Sequence, residues 1–320
     1  MRREYASIAA MGAILVGCQV IAILLAPLFL TGGFQAFPNP SDVTNTAVYI
    51  VLILAFTGVI LLLVRFRRQN VAKYVILASI FVTLAFILLL PLYVGLYYAT
   101  GQPVDDNRLA FLANLSTLLS FVIAGGLIYL LVKFPEWYVV DTVGIVTAAG
   151  VTAILGISFG ILPAILLLVA LAIYDAWAVY RTKHMVTLAD ELTSQRLPIL
   201  LVIPKKAGYS FREQKSLKEQ MAAGEEREAM FVGLGDLIIP GILSVSAFTF
   251  LGPLSGASAG LPGSLLVAIG SVIGSLAGFL VLMRFVLKGN PQAGLPLLNG
   301  GALLGFLITS LLVYGHVTIL

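Results

Sequence analysis

The run ILPAILLLVALAIYDAWAVYR, from Ile161 to Arg181, contains one charged side chain, Asp175, before the arginine that ends it. Its apolar part has the ~20 residues that an α-helix needs to cross the ~30 Å hydrocarbon core of a bilayer. An aspartate at the centre of such a helix is unfavourable by roughly 2.5–3.5 kcal/mol on insertion scales. The run therefore predicts a transmembrane helix, and it favours a functional role for its carboxylate.

The composition of the whole chain is that of a membrane protein. Of its 320 residues, 60% are hydrophobic and 11% are charged, whereas soluble domains carry about 25% charged residues. The net charge of +4 does not indicate nucleic acid as a partner, because the basic residues are sorted by membrane side. Cys18 is the only cysteine, so a disulfide within the chain is excluded.

Apolar runs of similar length recur along the chain and predict an all-α membrane protein, a polytopic bundle of nine transmembrane helices. The first run follows basic residues, as in a signal peptide, but it is too long and lacks a small-x-small cleavage site, so we expect it to be retained. The predicted spans are Ile8–Leu30, Ala47–Val64, Val71–Tyr98, Ala110–Val132, Tyr138–Ile157, Ile161–Tyr180, Ala229–Leu251, Pro262–Leu287 and Leu295–Gly315.

The distribution of basic residues predicts the orientation. With a cytoplasmic N-terminus, these spans leave all but one of the 19 Lys and Arg residues on the cytoplasmic side, the exception being Arg108. Cytoplasmic loops carry an excess of Lys and Arg, and a wrong span count would mix the two sides. We therefore predict a multi-pass protein of the cell membrane with its N-terminus in the cytoplasm and its C-terminus outside.

The longest connection divides the chain into a membrane part of six helices (1–180), a cytoplasmic, partly mobile loop (181–228) and a membrane part of three helices (229–320). Within the loop, LPILLVIP (Leu197–Pro204) is apolar, β-branched and bounded by prolines. It fits either an interfacial apolar strip or an extended segment that pairs with a substrate strand. On the second interpretation the candidate substrate-binding residues are Leu197, Ile199, Leu200 and Val202.

A second aspartate, Asp236, lies in the run FVGLGDLIIPG, from Phe231 to Gly241. At 1.5 Å per helical residue, Asp175 lies about 9 Å from the basic residue at the cytoplasmic end of its span, and Asp236 about 13 Å. Antiparallel neighbouring helices would bring both carboxylates to a similar depth. Neither span contains a Lys or Arg near its aspartate, which disfavours a structural ion pair.

Two facing carboxylates have a known chemical use, because a pair that shares one proton can activate a water and polarise a carbonyl group. The neighbouring residues fit this role: Gly233 and Gly235 remove side-chain bulk beside Asp236, and Tyr174 offers a hydroxyl beside Asp175. This is the chemistry of an aspartic endopeptidase, and it requires neither a cofactor nor a metal. Intramembrane aspartates also serve proton-coupled transporters and cation channels, so this alternative stays open, although we find no internal repeat of the kind that transporters often show.

A third motif begins the ninth span. The run GLPLLNGGALLGF, from Gly294 to Phe306, contains Pro296, Leu297 and Leu298. With Tyr174–Asp175 in the sixth span and the Gly-x-Gly-Asp motif Gly233–Asp236 in the seventh, the chain resembles the presenilin and signal peptide peptidase family of intramembrane aspartyl proteases, and most closely a prokaryotic, archaeal-type presenilin homologue. The family's third motif is Pro-Ala-Leu, from which this chain departs by one residue.

The resemblance implies that Asp175 and Asp236 are catalytic and that Pro296, Leu297 and Leu298 shape the active site. It also implies hydrolysis of peptide bonds within transmembrane segments of single-span membrane proteins that have their N-terminus outside. The bilayer is then the other expected partner, and a homo-oligomer is possible. The small residues Gly270, Gly274 and Gly278 predict close helix packing, within or between subunits, and Asp141 is expected to be interfacial or structural.

Overall fold

The structure is a computed structural model that describes residues 2–66, 68–101, 105–182, 200–205, 208–211, 228–252, 262–287 and 292–317. Its first part consists of long helices. They are α1 (Arg2–Thr31), α2 (Thr44–Arg65), α3 (Gln69–Thr100), α4 (Asp106–Lys133), α5 (Trp137–Ser158) and α6 (Ile161–Thr182).

The second part begins with two short strands and continues with three helices. The strands are β1 (Leu200–Pro204) and β2 (Ala229–Gly233), which pair antiparallel, and the helices are α7 (Leu234–Phe250), α8 (Gly263–Leu287) and α9 (Gly294–Tyr314). Most of the predicted loop from 181 to 228 lies outside the described residues, and so does the prediction that it is partly mobile.

The predicted fold class is confirmed. Within the described residues, eight helices are long and apolar enough to cross a membrane, and α7 is a shorter apolar helix of 17 residues. At 1.5 Å per residue α7 is about 26 Å long, slightly less than the ~30 Å hydrocarbon core. The polytopic helical bundle therefore has eight full-length helices and one that begins after a strand.

The predicted start of the seventh span is wrong. We expected helix from Ala229, but residues Ala229–Gly233 form β2, and α7 begins at Leu234. Phe231 and Val232 favour a strand, glycine at 233 and 235 weakens a helix, and β1 supplies the partner for the backbone groups. The depth of Asp236 that we calculated from a continuous helix is therefore also wrong, since Asp236 lies in the first turn of α7.

The fifth helix lies at the centre of the bundle. Of its most apolar stretch 67% is buried, against 6% for α2. Small residues allow this enclosure: a Cβ atom on Gly150 would approach the side chain of Ile87 in α3, and one on Gly156 would approach Val245 in α7. The composition of α5, rich in small residues, reflects close packing against neighbouring helices.

Helices α8 and α9 pack with their backbones in contact. A Cβ atom on Gly274 would clash with the carbonyl oxygen of Gly301, and one on Gly278 with that of Leu297. The glycine stripe predicted in the eighth span is thus used within the chain. Its contact with Leu297 also holds the beginning of α9 against α8, which is where the third motif lies.

Polar side chains connect α1 to the second part of the chain. The Nε2 atom of Gln19 donates to Ser275 Oγ in α8 at 2.9 Å, and Ser244 Oγ in α7 donates to Gln19 Oε1 at 3.0 Å. All three residues are fully buried. Hydrogen bonds of this kind add directional contacts between helices in an apolar environment.

Candidate active site

The first aspartate projects from α6 toward the beginning of α9. Asp175 Oδ2 accepts a hydrogen bond from the backbone N–H of Leu295 at 3.1 Å. Leu295 is in the first turn of α9, where backbone N–H groups have no partner within the helix. The contact therefore satisfies a donor of α9 and fixes the Asp175 carboxylate at the end of that helix.

The second aspartate lies against the same segment. Asp236 is in the first turn of α7, directly after β2, where the helix dipole favours a negative charge. A Cβ atom placed on Gly294 would be 2.9 Å from Asp236 Oδ1 and 3.0 Å from Oδ2. The carboxylates of Asp175 and Asp236 also interact electrostatically with each other, so both predicted aspartates meet at the beginning of α9.

Three contacts hold this beginning of α9 in place. Asn299 Nδ2 donates to the backbone carbonyl of Leu168 in α6 at 2.9 Å. On the other side, the Leu297 carbonyl lies against Gly278 of α8. Leu298 is buried beneath the site in a cluster with Leu237 of α7. The third motif thus ties together the helices that carry the two aspartates.

The residues beside the aspartates differ in their surroundings. Gly235 is exposed, and a Cβ atom on it would meet nothing within 4 Å, whereas one on Gly233 would lie 3.6 Å from Asp236 Oδ2. Tyr174 is 48% exposed, and its hydroxyl makes no hydrogen bond within the described part of the chain. The open space at Gly235 leaves room for another backbone to approach Asp236.

The arrangement is suited to acid–base chemistry. Two carboxylates at one site disfavour double ionisation, so the pair holds one proton over a range of pH, and its titration belongs to the pair. One member then acts as a base toward water and the other as an acid toward a carbonyl oxygen. Within the described residues no cluster of three or more His, Cys, Asp or Glu is arranged to hold a metal.

The predicted substrate-binding segment is extended where the structure describes it. Leu197 and Ile199 lie outside the described residues, Leu200 is partly buried, and Val202 is fully buried in β1. The N–H of Val202 donates to Asp141 Oδ1 on α5 at 2.8 Å. One edge of β1 pairs with β2, and the other edge therefore lies against α5.

The pairing of the two strands determines which backbone groups face outward from the sheet. Because the Val202 N–H points to α5, and the Lys205 N–H donates to the Glu228 carbonyl at 2.8 Å, the residues of β1 that bond β2 are Leu201 and Ile203. In the observed register Phe231 and Gly233 lie opposite Val202 and Leu200. Their N–H groups therefore point away from β1, along the edge of β2 that leads to Asp236.

Some residues at this site were missed by sequence reasoning. Gly294 and Leu295, which contact the aspartates, directly precede the Pro-Leu-Leu motif, and Gly278 supports it from α8. A glycine at the first position of a span gives little indication of a functional site, because glycine is common where helices begin. Asp141 was seen as a charge in a span, but its bond to a strand distant in sequence carried no sequence signal.

Comparisons with known proteins identify the family and the fold of this chain. A family model described as signal-peptide peptidase, presenilin aspartyl protease matches residues 11–315. A solved structure of a presenilin family intramembrane aspartate protease in space group C222 is 36% identical, covers 96% of this chain and 99% of its own, and has a TM-score of 0.65. A second such structure, in space group P2, is 35% identical, covers 95% of this chain and 97% of its own, and also has a TM-score of 0.65.

No match was found among curated proteins. The matches reported above are to aspartic proteases, so the transporter interpretation has no support from them, and the chain is an intramembrane aspartic endopeptidase. With the family model covering nearly the whole chain and a relative more than one third identical, this chain belongs to the signal peptide peptidase and presenilin family of aspartyl proteases.

Proposed function

We propose that Asp175 and Asp236 are the catalytic pair of this protease and that its substrates are single-span membrane proteins with their N-terminus outside. The observation that carries the proposal is the contact of both carboxylates with two adjacent residues, Gly294 and Leu295. A carboxylate pair held by one backbone segment keeps a fixed separation, which water activation between the two groups requires.

The reaction needs only the pair, a water molecule and the substrate. The ionised carboxylate takes a proton from water while the protonated one donates to the oxygen of the scissile carbonyl, and the new C–O bond gives a tetrahedral diol. Collapse of the diol breaks the C–N bond: the leaving nitrogen receives a proton from the carboxyl group that had accepted one, and a diol hydroxyl returns a proton to the carboxylate that had donated one. The products are a carboxylic acid and an amine, and we assign neither role to an individual aspartate.

A helical substrate has to unwind first, because its carbonyl groups are hydrogen-bonded within the helix. We propose that the unwound segment adds as a strand to the outer edge of β2, whose outward N–H groups belong to Phe231 and Gly233. The Leu197–Pro204 segment then acts mainly through β1, which supports β2. Leu200, at the end of β1 opposite Gly233, stays the candidate for direct substrate contact from that segment.

The catalytic proposal is tested with purified protein in lipid vesicles and a single-span model substrate whose N-terminus is outside. The parent is expected to release fragments, and Asp175→Asn and Asp236→Asn are expected to release none. The matched control is Asp106→Asn, which changes an exposed aspartate in the first turn of α4 and should cleave like the parent. Thermal unfolding checks that each variant is folded.

Two outcomes would contradict the proposal. Cleavage by either folded active-site variant at the parent rate would remove that aspartate from the mechanism. Absence of cleavage by the parent, combined with proton or cation flux that depends on the same aspartates, would restore the transporter interpretation.

The strand proposal is tested by replacing one outward N–H group. Phe231→Pro removes a donor on the outer edge of β2 and leaves the bonds to β1 intact, because proline is tolerated where the N–H faces away from the sheet. We expect cleavage to fall while folding is retained. Phe231→Ala removes the contact with the Phe211 ring but keeps the donor, so it separates the loss of the ring from the loss of the hydrogen bond. Equal cleavage by the two variants would contradict strand addition.

The orientation in the membrane is part of the proposal. In a Cys18→Ala background, the thiols of Asp42→Cys and Phe134→Cys test this, because both positions are exposed. The proposed orientation assigns the α1–α2 connection to the outside and the α4–α5 connection to the cytoplasm. A reagent that cannot cross the membrane of intact cells should label the first and not the second. The reverse pattern would overturn both the orientation and the proposed direction of the substrates.

A further inference from the structure

The N-terminal end of α5 carries a buried carboxylate that the catalytic mechanism does not use. Asp141 is only 7% exposed, and its Oδ1 accepts the backbone N–H of Val202 in β1 at 2.8 Å. Val202 is itself fully buried. Without this acceptor the N–H would be buried with no partner, which is a costly state for a backbone group.

A second carboxylate on the same helix end holds the segment that follows β1. Glu136, the residue before α5, accepts Ser210 Oγ–H through Oε1 at 2.9 Å and the Phe211 N–H through Oε2 at 3.1 Å. Phe211 is buried in the same apolar cluster as Val202. Two acidic side chains at one end of α5 therefore bind β1 and the residues Ser210 and Phe211 that follow it, both remote from α5 in sequence.

Tyr209 packs against the same apolar cluster as Val202 and Phe211. Burial, and then the charges of Glu228, Glu136 and Asp141, raise the pKa of Tyr209, so that the phenol stays neutral. A neutral hydroxyl is a hydrogen-bond donor and adds no further negative charge to this region. β1 and residues 208–211 thus meet the end of α5 through polar groups, within an otherwise apolar contact.

The hydrogen bond to Asp141 also determines which residue of β1 lies beside this carboxylate. In a strand, successive N–H groups point to opposite edges, so a shift of β1 by one residue would turn the N–H toward β2. A shift by two residues in one direction would bring Pro204 to Asp141, and proline has no N–H. The hydrogen bond between Asp141 and Val202 therefore favours the observed register of the sheet on α5.

We propose that Asp141 and Glu136 are positioning residues of the protease: they fix the register of the β1–β2 sheet on α5 and thereby the peptide bond that reaches the catalytic pair. This inference rests on the proposed function, in which the substrate adds to β2. Neither residue touches the substrate. Loosening them shifts the sheet relative to Asp236, which directly follows β2, and so alters where the substrate is cut and how well it binds.

The test compares Asp141→Leu, which removes the acceptor but keeps the branching at Cγ, with Asp141→Asn, whose amide oxygen still accepts the Val202 N–H. Thr142→Val is the matched control, because the adjacent Thr142 is exposed and bonds only the carbonyl of Tyr138 in its own helix. Three quantities are measured: amide exchange of residues 200–205, the masses of the fragments from a single-span substrate, and KM and kcat separately.

For Asp141→Leu we expect amide exchange in β1 to be faster by about tenfold or more, since a buried hydrogen bond is lost. The variant should cleave additional or different peptide bonds of the substrate. Its KM should rise several-fold, because a displaced sheet binds the substrate strand less well. Asp141→Asn and Thr142→Val should cleave the parent's bonds with the parent's KM. A merely structural role for Asp141 would lower the amount of active enzyme without moving the cleavage site.

The inference is overturned if folded Asp141→Leu produces the parent's fragments with the parent's KM, or if Asp141→Asn fails to restore the parent's pattern. Should Asp141→Leu not fold, Glu136→Ala, at the partly exposed beginning of α5, decides on the same three quantities. A parent that cleaves nothing would overturn the proposed function instead. Amide exchange needs no substrate, so it still tests the anchoring of β1 in that case.

Discussion

Gly294 lies so close to Asp236 that a Cβ atom on the glycine would be 2.9 Å from the carboxylate Oδ1. The next residue, Leu295, donates its N–H to Asp175. The two aspartates are thus held by adjacent residues that belong to neither of their own helices. The beginning of α9 therefore helps to position the two carboxylates relative to each other.

We expect Gly294→Ala to reduce cleavage strongly while the protein remains folded. The added methyl group would push the Asp236 carboxylate away from its position, and a misplacement of about 1 Å can cost roughly a hundredfold in rate. The measurement is kcat on a single-span substrate, with thermal unfolding in parallel. Gly300→Ala, on the same helix but facing open space, should cleave at the parent rate, and equal rates for the two variants would show that the Gly294 contact does not position Asp236.

The two apolar runs that carry the aspartates predicted that they would meet, although the depth calculated for Asp236 was wrong. A charge retained inside an apolar run is costly, and the two runs are antiparallel neighbours along the chain, so Asp175 and Asp236 were found without a structure. The contacts that hold them were not found, because Leu295 acts through its backbone N–H and Gly294 through the absence of a side chain. Neither property depends on a residue type that stands out in a sequence.

Asn299 offers a test of whether α9 has to be tied to α6. Its Nδ2 bonds the Leu168 carbonyl, while its buried Oδ1 has no hydrogen-bond partner among the described residues. Asn299→Leu removes both the bond and the unsatisfied acceptor, so the free energy of unfolding should change by less than about 1 kcal/mol. Cleavage should nevertheless fall by about tenfold, because the end of α9 is no longer held beside Asp175.

The control for this prediction is Thr309→Val, further along α9, where the hydroxyl bonds only carbonyl groups of its own helix. It should leave both stability and cleavage near the parent values. A parallel loss of stability and activity in Asn299→Leu would indicate that the asparagine supports the fold in general and has no specific effect on the site.

The start of α7 shows where hydropathy fails as a guide. Residues 229–233 are apolar and extend the hydrophobic run of the seventh span, but they form β2. The partner strand is far away in sequence, within the loop that we predicted to be cytoplasmic. Hydropathy measures the preference for an apolar environment and does not distinguish a helix from a strand. Non-helical backbone at membrane depth is tolerated where it is buried in protein or lines a water-filled cavity.

Close packing of α8 against α9 predicts a large effect of a small substitution. In Gly274→Ala the new methyl group would meet the carbonyl oxygen of Gly301 and the backbone of Gly305, which cannot move aside as a side chain can. We expect a loss of about 1–3 kcal/mol in the free energy of unfolding, typical of overpacking. Gly126→Ala on α4, which faces open space, should be neutral, and thermal or denaturant unfolding in detergent compares the two.

Gln19 of α1 bonds α7 and α8 through two side-chain hydrogen bonds, so its substitution should lower the stability of the protein. Gln19→Leu removes the donor to Ser275 and the acceptor for Ser244. Hydrogen bonds between membrane helices average about 0.6 kcal/mol each, so we expect a loss of about 1–2 kcal/mol in the free energy of unfolding. The double-mutant cycle with Ser244→Ala measures the share of one bond, because once Gln19 is absent the serine substitution should cost little. Full additivity of the two substitutions would mean that the bond between Ser244 and Gln19 contributes nothing to stability.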